Sequence, residues 1–451
     1  MRTPVLNLFT GTFSGVVSSV KRVKSVLWFA FCFGAAAGLP AAIVGTNPPA
    51  LSLTTKRIAA LPEEQRADWR AYLKRSARQL ALDKNFLRTE EKKAGITQLT
   101  IPASANSARG LALDNPADWY GQATARNIAD IIVSFQTPAG GWSKNLNLTR
   151  SPRVPGESFA PDNLSRWLSS VDYDEPLDTN WDYVGTFDND ATTTELQFLG
   201  RVIAASSTKS ASYRAAFARG LGYIFAAQYP NGGWPQVWPL QGGYHDGITY
   251  NDNAVLNVLE LLRDVAGGQN GFSFVPAETR AQAGASLERG LDCVLATQVI
   301  VDGRHTVWCQ QYDALTLQPA SARNYEMPAL ASSESADLMS FLMQLPDPDS
   351  NVVAAVHAAA TWFERMKIMN KSYQFVRGHG RQLVDAPGHG PLWARYYEIE
   401  TNRPVFGDRD RSIHDDVNEI SQERRNGYAW FRDNPERSLE QYALWSRSHP
   451  Q

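Results

Sequence analysis

Two polar triplets, Asp188-Asn189-Asp190 and Asn251-Asp252-Asn253, are where chemistry could reside in this chain. Oxygen-rich clusters of this kind suit a hard cation such as calcium, although the spacing is not that of an EF-hand loop. Asp and Asn are also the preferred residues at a helix N-cap, which accounts for any one of the six. Three in a row, twice, is more than capping needs. Basic residues gather elsewhere. Arg323 lies in Ala322-Arg323-Asn324-Tyr325-Glu326, Arg395 follows Leu392-Trp393-Ala394, and Arg403, Arg409, Arg411, Arg424 and Arg425 come after it. Lys144 stands two residues past Gly140-Gly141-Trp142. Singly, each reads as a solvated surface cation. Beside them are Trp142, Trp234, Trp238, Trp393, Tyr396 and Tyr397. Such rings stack on sugars and guanidinium groups, and arginine forks hold carboxylates at two points. Acidic clusters for a cation and arginines for carboxylates together imply a carboxylated polysaccharide.

Other chemistries lack their motifs. His245, His305, His379 and His389 accompany no Ser or Cys pattern, and Gly-x-Ser-x-Gly, a P-loop and a dinucleotide glycine fingerprint are absent. Cys32, Cys293 and Cys309 show no zinc-type spacing; one disulfide or two buried thiols both fit the last two. The 451 residues carry 44 Lys+Arg against 46 Asp+Glu, a net charge of −2, with 43% hydrophobic and 20% charged residues. That composition excludes a disordered chain, a collagen and a multi-span membrane protein. It also argues against a general nucleic-acid binder, which would show a basic excess.

The elements that must position these residues are helices. Ile128, Ile131, Ile132 and Phe135 form a 3.6-period stripe, as do Leu196, Leu199, Val202 and Ile203, and Leu287, Leu291, Val294 and Leu295. Residues 255–265 are apolar almost all round, the mark of a buried helix. No long period-two alternation occurs, so little sheet is expected. An internal repeat runs through these helices. Phe135-Gln136 leads to Gly140-Gly141-Trp142, Ala227-Gln228 leads to Gly232-Gly233-Trp234, and Thr297-Gln298 leads to a degenerate copy around Gly303 and Trp308. The helices after the first two copies begin with the polar triplets. Repeated helix pairs stack and bury a shared face. In a helical barrel the equivalent helix starts share one rim, so the triplets converge on one cleft.

The domain reading follows. Residues 1–45 form an export signal or membrane anchor: Lys21, Arg22 and Lys24 precede an apolar run from Val26 to Gly45. Residues 46–60 read as a linker, 61–117 as an N-terminal helical region and 118–451 as the main helical domain. The protein is expected to be exported, periplasmic or extracellular, to meet a membrane only through residues 1–45, and to be a monomer.

In order, these motifs resemble the pectate lyases of polysaccharide lyase family 10, from about Asp118 to Trp430. The carriers are Gln136 with Gly140 to Lys144, Thr186 to Glu195, Gln228 to Pro239 and Thr249 to Ala254. Ala322 to Glu326, Pro391 to Ile399, Thr401 to Pro404 and Glu423 to Tyr428 complete them. The resemblance implies an all-α fold, an incomplete (α/α) toroid of paired helices whose long loops form a cleft. It implies calcium-assisted β-elimination on de-esterified polygalacturonate or its oligogalacturonides. Asp188 and Asp252 are then ligands of calcium and of the substrate carboxylate, with Asn189 close by. Arg323 is the base that takes the C5 proton. Arg395 and Arg409 bind substrate, joined by Lys144, Trp142, Trp234 and Asn251. Arginine is an awkward base, since free guanidinium keeps its proton far above neutral pH; neighbouring positive charge lowers that hold, and transfer through water is the rival. Competing functions are a toroid hydrolase using two carboxylates (Asp188 with Glu326, or Asp252 with Glu195), a non-catalytic uronate-binding protein, and a structural helical-repeat protein.

Overall fold

The computed structural model describes residues 43–105, 111, 113–165, 172–205 and 210–450. The export or anchor segment lies outside the described residues except for its last three, and Cys32 lies outside with it. Among the described residues, no helix is long and apolar enough to cross a membrane.

The helices follow the sequence pattern. In chain order they are α1 (Thr55–Ile58), α2 (Glu63–Ala94), α3 (Ala123–Phe135), α4 (Thr193–Ala205), α5 (Ser210–Ala227) and α6 (Ala254–Gly267). Then come α7 (Ala277–Thr297), α8 (Ser332–Met343), α9 (Ser350–Arg365), α10 (Gln422–Gly427) and α11 (Asn434–Trp445). α4, α6 and α8 pack side by side as an inner series, and α3, α5, α7 and α9 form the outer one. The architecture is the expected all-α (α/α) toroid, with α11 packed on α8 and α9. α6 shows why the inner series is stable. Val255, Leu256, Val258, Leu259, Leu261, Leu262 and Val265 are all buried, each worth about 1.5–3 kcal/mol relative to exposure. Gly268, at φ 62°, ends the helix in the left-handed cap that donates to Asp264 and Val265 carbonyls.

The repeat is a mechanical joint. Gln136 Nε2 donates to Gly140 O in its own turn and to Ala216 O in α5, both at 2.8 Å. Gln228 does the same to Gly232 O and to Ser286 O in α7, both at 2.9 Å. Gln298 reaches Thr306 O at 3.0 Å and Ala355 O in α9 at 2.9 Å. Each glutamine thus ties its turn to the next outer helix. The tryptophan that follows points inward and donates its indole N–H to the helix it came from. Trp142 bonds Ile132 O at 2.7 Å, Trp234 bonds Ile224 O at 3.0 Å and Trp308 bonds Val294 O at 2.8 Å. Trp393, bonded to Phe363 O at 2.9 Å, is a fourth such joint, without the Gln and Gly-Gly that mark the first two. The first glycine of each pair is required by close approach. At Gly140 (φ 107°) an added Cβ would stand 2.4 Å from Arg219 O, and at Gly232 (φ 93°) 2.0 Å from Arg289 O.

Strands are short and serve the loops. Ile248–Thr249 pairs with Gln311–Tyr312, Leu330–Ala331 with Tyr396–Tyr397, and Trp393–Ala394 with Phe431–Arg432. A longer hairpin joins Lys371–Val376 to Gly380–Asp385. Residues 46–60 pack on the body: Asn47, Leu53 and Ile58 are buried, and Leu53 N–H donates to Asp246 Oδ2 at 2.8 Å. α2 meets the end of α5: the Trp69 and Tyr72 rings pack on Tyr229, just past it, and the Tyr72 hydroxyl donates to Ala227 O. Cys293 and Cys309 are buried free thiols, not a disulfide.

Candidate active site

Both polar triplets fold as a single 3₁₀ turn ahead of an inner helix, and the two turns touch. In the first, Asn189 and Asp190 take φ of 50° and 62°; in the second, Asp252 and Asn253 take 50° and 59°. Asn and Asp tolerate this left-handed region better than other residues with a Cβ. Backbone geometry therefore explains part of the composition. It also sets the register: Asp188 corresponds to Asn251, Asn189 to Asp252, and Asp190 to Asn253.

Asp188 is the buried anchor of the first turn. Lys144 Nζ lies 2.6 Å from its Oδ2 and 3.3 Å from the centre of the Tyr183 ring. Burial pushes the Asp188 carboxyl up, but Lys144, with help from Arg323, outweighs it and holds the group below the usual range. Asp188 Oδ1 is buried and takes no hydrogen bond. Asn189 Nδ2 donates to Asn145 Oδ1 at 3.2 Å. Asp190 faces elsewhere: its Oδ1 accepts from Asn257 of α6 at 2.8 Å, and its carbonyl accepts the Thr193 and Thr194 hydroxyls.

Asp252 presents a side chain 38% exposed at the adjoining turn. Burial of its surroundings and the charge of Asp188 push its carboxyl up to about 6, against the pull of Arg395. Asn251 Nδ2 donates to Asp252 Oδ2 at 2.9 Å. Arg395 stands behind both, only 5% exposed. Its Nη2 bonds Asn251 Oδ1 at 2.9 Å and Glu334 Oε1 at 2.6 Å. Arg395 and Asn251 therefore orient Asp252 from the interior.

Arg323 completes the group, since its charge acts on both Asp188 and Asp252. Glu326 accepts from Arg323 Nε at 2.9 Å, Nη2 at 2.5 Å and the backbone N–H at 3.0 Å. Tyr428 Oη also donates to Glu326, at 2.8 Å. Although burial opposes it, Glu326 raises the Arg323 guanidinium well above its ordinary value. Burial would raise Glu326 in turn, but Arg323 brings that carboxyl down to about 2. Arg323, Arg409 and Arg424 all approach the Tyr325 ring. Arg409 forks onto Glu423 at 2.9 and 3.2 Å, and Arg424 bonds the same carboxylate. Next to Lys144, His245 packs between Tyr183 and Tyr244, and burial lowers it to about 4, so the ring is neutral.

Asp188, Asn189, Asp252 and Lys144 thus gather on and beside two touching turns, with Arg395 and Asn251 directly behind and the charge of Arg323 reaching both carboxylates. Trp142 and Trp234 do not join them. They are 0% and 1% exposed with their indole N–H groups bonded inside the core, so neither can offer a face to a sugar. Their assignment as substrate platforms is corrected: they are the joints of the repeat. Glu326, Glu334, Tyr428 and Tyr183 are the site residues the sequence did not single out in these roles. Glu326 and Tyr428 carried a signal, the first lying three residues from Arg323 and the second closing the Glu423 to Tyr428 motif.

The residues able to hold a metal ion are the two carboxylates. Among the described residues, no cluster of three or more His, Cys, Asp or Glu forms a closed metal cage. The unbonded Asp188 Oδ1 and the accessible Asp252 are hard oxygen donors on adjoining turns. A calcium ion held by two carboxylates draws its other oxygens from ligand and water, and the pair fits that arrangement.

The model of the pectic acid lyase family matches residues 136–439. Among solved structures, the family 10 polysaccharide lyase from Cellvibrio cellulosa is 32% identical over 75% of this chain and 98% of that chain, with a TM-score of 0.60. An aspartate-to-alanine mutant of a family 10 polysaccharide lyase from Cellvibrio cellulosa, in complex with trigalacturonic acid, is 30% identical over 76% of this chain and 100% of that chain, with a TM-score of 0.61. No curated protein matches.

Proposed function

Because this chain belongs to the pectic acid lyases, family 10 of the polysaccharide lyases, we propose that it cleaves de-esterified polygalacturonate by calcium-assisted β-elimination. The observation that carries the reading is the contact of the turns that hold Asp188 and Asp252, with the charge of Arg323 acting on both carboxylates. The trigalacturonic acid bound by the similar mutant lyase supports the substrate class.

The C5 proton of galacturonate is alpha to a carboxylate and weakly acidic while that carboxylate keeps its full charge. Asp188 and Asp252 would hold a calcium ion. When bound, calcium would offset the carboxylate charge and stabilise the enolate-like anion of the transition state. Lys144, seated on Asp188, adds positive charge beside the same group. Arg323 takes the proton. The C5–H bond breaks, a C4–C5 double bond forms, and the C4–O bond breaks with its electron pair leaving on the glycosidic oxygen. That oxygen then takes a proton from water, and the proton on Arg323 returns to the solvent.

Glu326 keeps Arg323 charged at rest. Neutralising Asp188 and Asp252 removes two attractions that favour that charge and moves the guanidinium toward the base it must become. The same fork favours a second reading, in which Arg323 stays cationic and a water molecule on it carries the proton. The hydrolase pairs gain no support. Glu326 is held ionised on Arg323 and has no proton to donate near neutral pH. Glu195 is sealed in the first turn of α4.

The deciding experiment follows the ultraviolet absorbance of the unsaturated uronate on polygalacturonate, with calcium and then with chelator. A calcium-dependent rise supports elimination. New reducing ends without it would overturn elimination in favour of hydrolysis, and neither signal would leave a binding protein.

A further inference from the structure

The chain ahead of α1 enters the site from behind. Ile43–Thr46 pairs antiparallel with Ser412–His414. The next residue, Asn47, is 1% exposed. Its Nδ2 donates to Arg323 O at 3.0 Å and to Asn324 O at 2.9 Å. Its backbone N–H donates to Arg411 O at 2.8 Å, and its carbonyl accepts Tyr173 Oη at 2.9 Å. Asn324, also buried, continues the network: Nδ2 donates to Arg409 O at 2.7 Å, and Oδ1 accepts from Tyr173 N–H at 2.9 Å. The Asn47 side chain thereby holds the loop that carries Arg323, while its backbone N–H and the Asn324 side chain hold the loop that carries Arg409. Residue 47 lies outside the stretch that the family model matches.

Two different grips act on Arg323. Glu326 holds the guanidinium tip; Asn47 holds the peptide at its root. Without the amide, Arg323 O would keep only the Glu326 backbone N–H at 2.8 Å, and Asn324 O would lose its bond to Asn47; a buried acceptor without a partner is costly. The loop would shift to recover bonds and carry the guanidinium with it. A displacement of about 1 Å costs a reaction up to about a hundredfold.

We infer that Asn47 is a positioning residue of the lyase, contributed by the strand-like strap ahead of the toroid. It touches no substrate and acts through the backbone of Arg323. The inference rests on Arg323 being the proton acceptor.

The test uses the full chain on polygalacturonate with calcium, comparing wild type, Asn47→Ala, Asn47→Asp and Tyr173→Phe. Activity is referred to the folded fraction measured by near-ultraviolet circular dichroism. Both Asn47 variants should lose about tenfold or more in kcat while KM stays within about twofold. Asn47→Asp keeps the size of the side chain but turns an oxygen on the two carbonyls, so it should fall at least as far. Tyr173→Phe, which removes only the hydroxyl, should lose less. A kcat per folded molecule within about twofold of wild type for Asn47→Ala would overturn the inference. If the Asn47 variants do not fold, an unchanged kcat in Tyr173→Phe overturns it instead. The outcomes separate the readings: no unsaturated product from wild type refutes the lyase, and full activity in Arg323→Ala refutes the base on which Asn47 acts.

Discussion

Glu326 grips Arg323 at two points, Nε to Oε2 at 2.9 Å and Nη2 to Oε1 at 2.5 Å, and leaves Nη1 outside the fork. The carboxylate side chain is 2% exposed and the guanidinium 30%. A rigid fork presents one nitrogen in one direction, which is what a proton acceptor needs. The negative charge that supplies the rigidity also favours the protonated guanidinium, which is what a proton acceptor does not need. On the proposed reading, the site trades basicity for placement.

Glu326→Gln separates those two effects. The amide keeps the size but loses the charge, so the Arg323 pKa should fall. If neutral Arg323 is the base, the acid limb of the kcat/KM profile should move to lower pH while its plateau drops through the looser grip. A limb that stays in place would show that Arg323 works as a cation.

The same pair should be visible in stability. The Glu326 carboxyl is lowered from 4.5 to about 2 in the folded state. Its contribution is then complete above about 4.5 and is lost as pH falls toward about 2. Denaturant midpoints of wild type should decline across that window more steeply than those of Glu326→Gln. Parallel declines would show that the fork adds nothing to folding.

Arg323→Ala should abolish turnover, while oligogalacturonate binding, followed by calorimetry, and the fold persist. Turnover near the wild-type rate would remove Arg323 from the reaction.

Calcium dependence should pass through Asp252. Chelation should stop wild-type elimination. Asp252→Ala should need more calcium for the same rate and recover part of its activity when it is supplied. A wild type indifferent to chelator would end the metal assignment.

Trp234→Phe tests the corrected role of the buried indoles. Loss of the bond to Ile224 O should cost about 1–3 kcal/mol in denaturant unfolding, with KM unchanged. A raised KM at unchanged stability would return the ring to the substrate.

The outer features of this architecture were legible because they are local. Gln136 to Trp142 and Gln228 to Trp234 lie within one helix end and one turn, and the apolar run of α6 reports its burial directly. The meeting of the two triplets followed from their equivalent places in the repeat. What misled was chemistry shared between roles: a tryptophan that closes a helix joint is the same residue as one that stacks on sugar. The partners of the charged groups were hidden by distance along the chain. Glu334 and Arg395 are 61 positions apart, Glu326 and Tyr428 are 102, and Asn47 and Arg323 are 276. No periodicity announces such pairs.

The glutamine joints also bear on how the molecule comes apart. Gln136, Gln228 and Gln298 each bond across to the next outer helix, so one repeat cannot open without releasing its neighbour. In a repeat array, stability sums each repeat's own stability and its interfaces with its neighbours, and weak interfaces let repeats open one by one. Here the coupling favours loss of the ring as one cooperative unit. In hydrogen exchange, the amides of α5 and α7 would then report a shared opening free energy instead of a gradient along the chain.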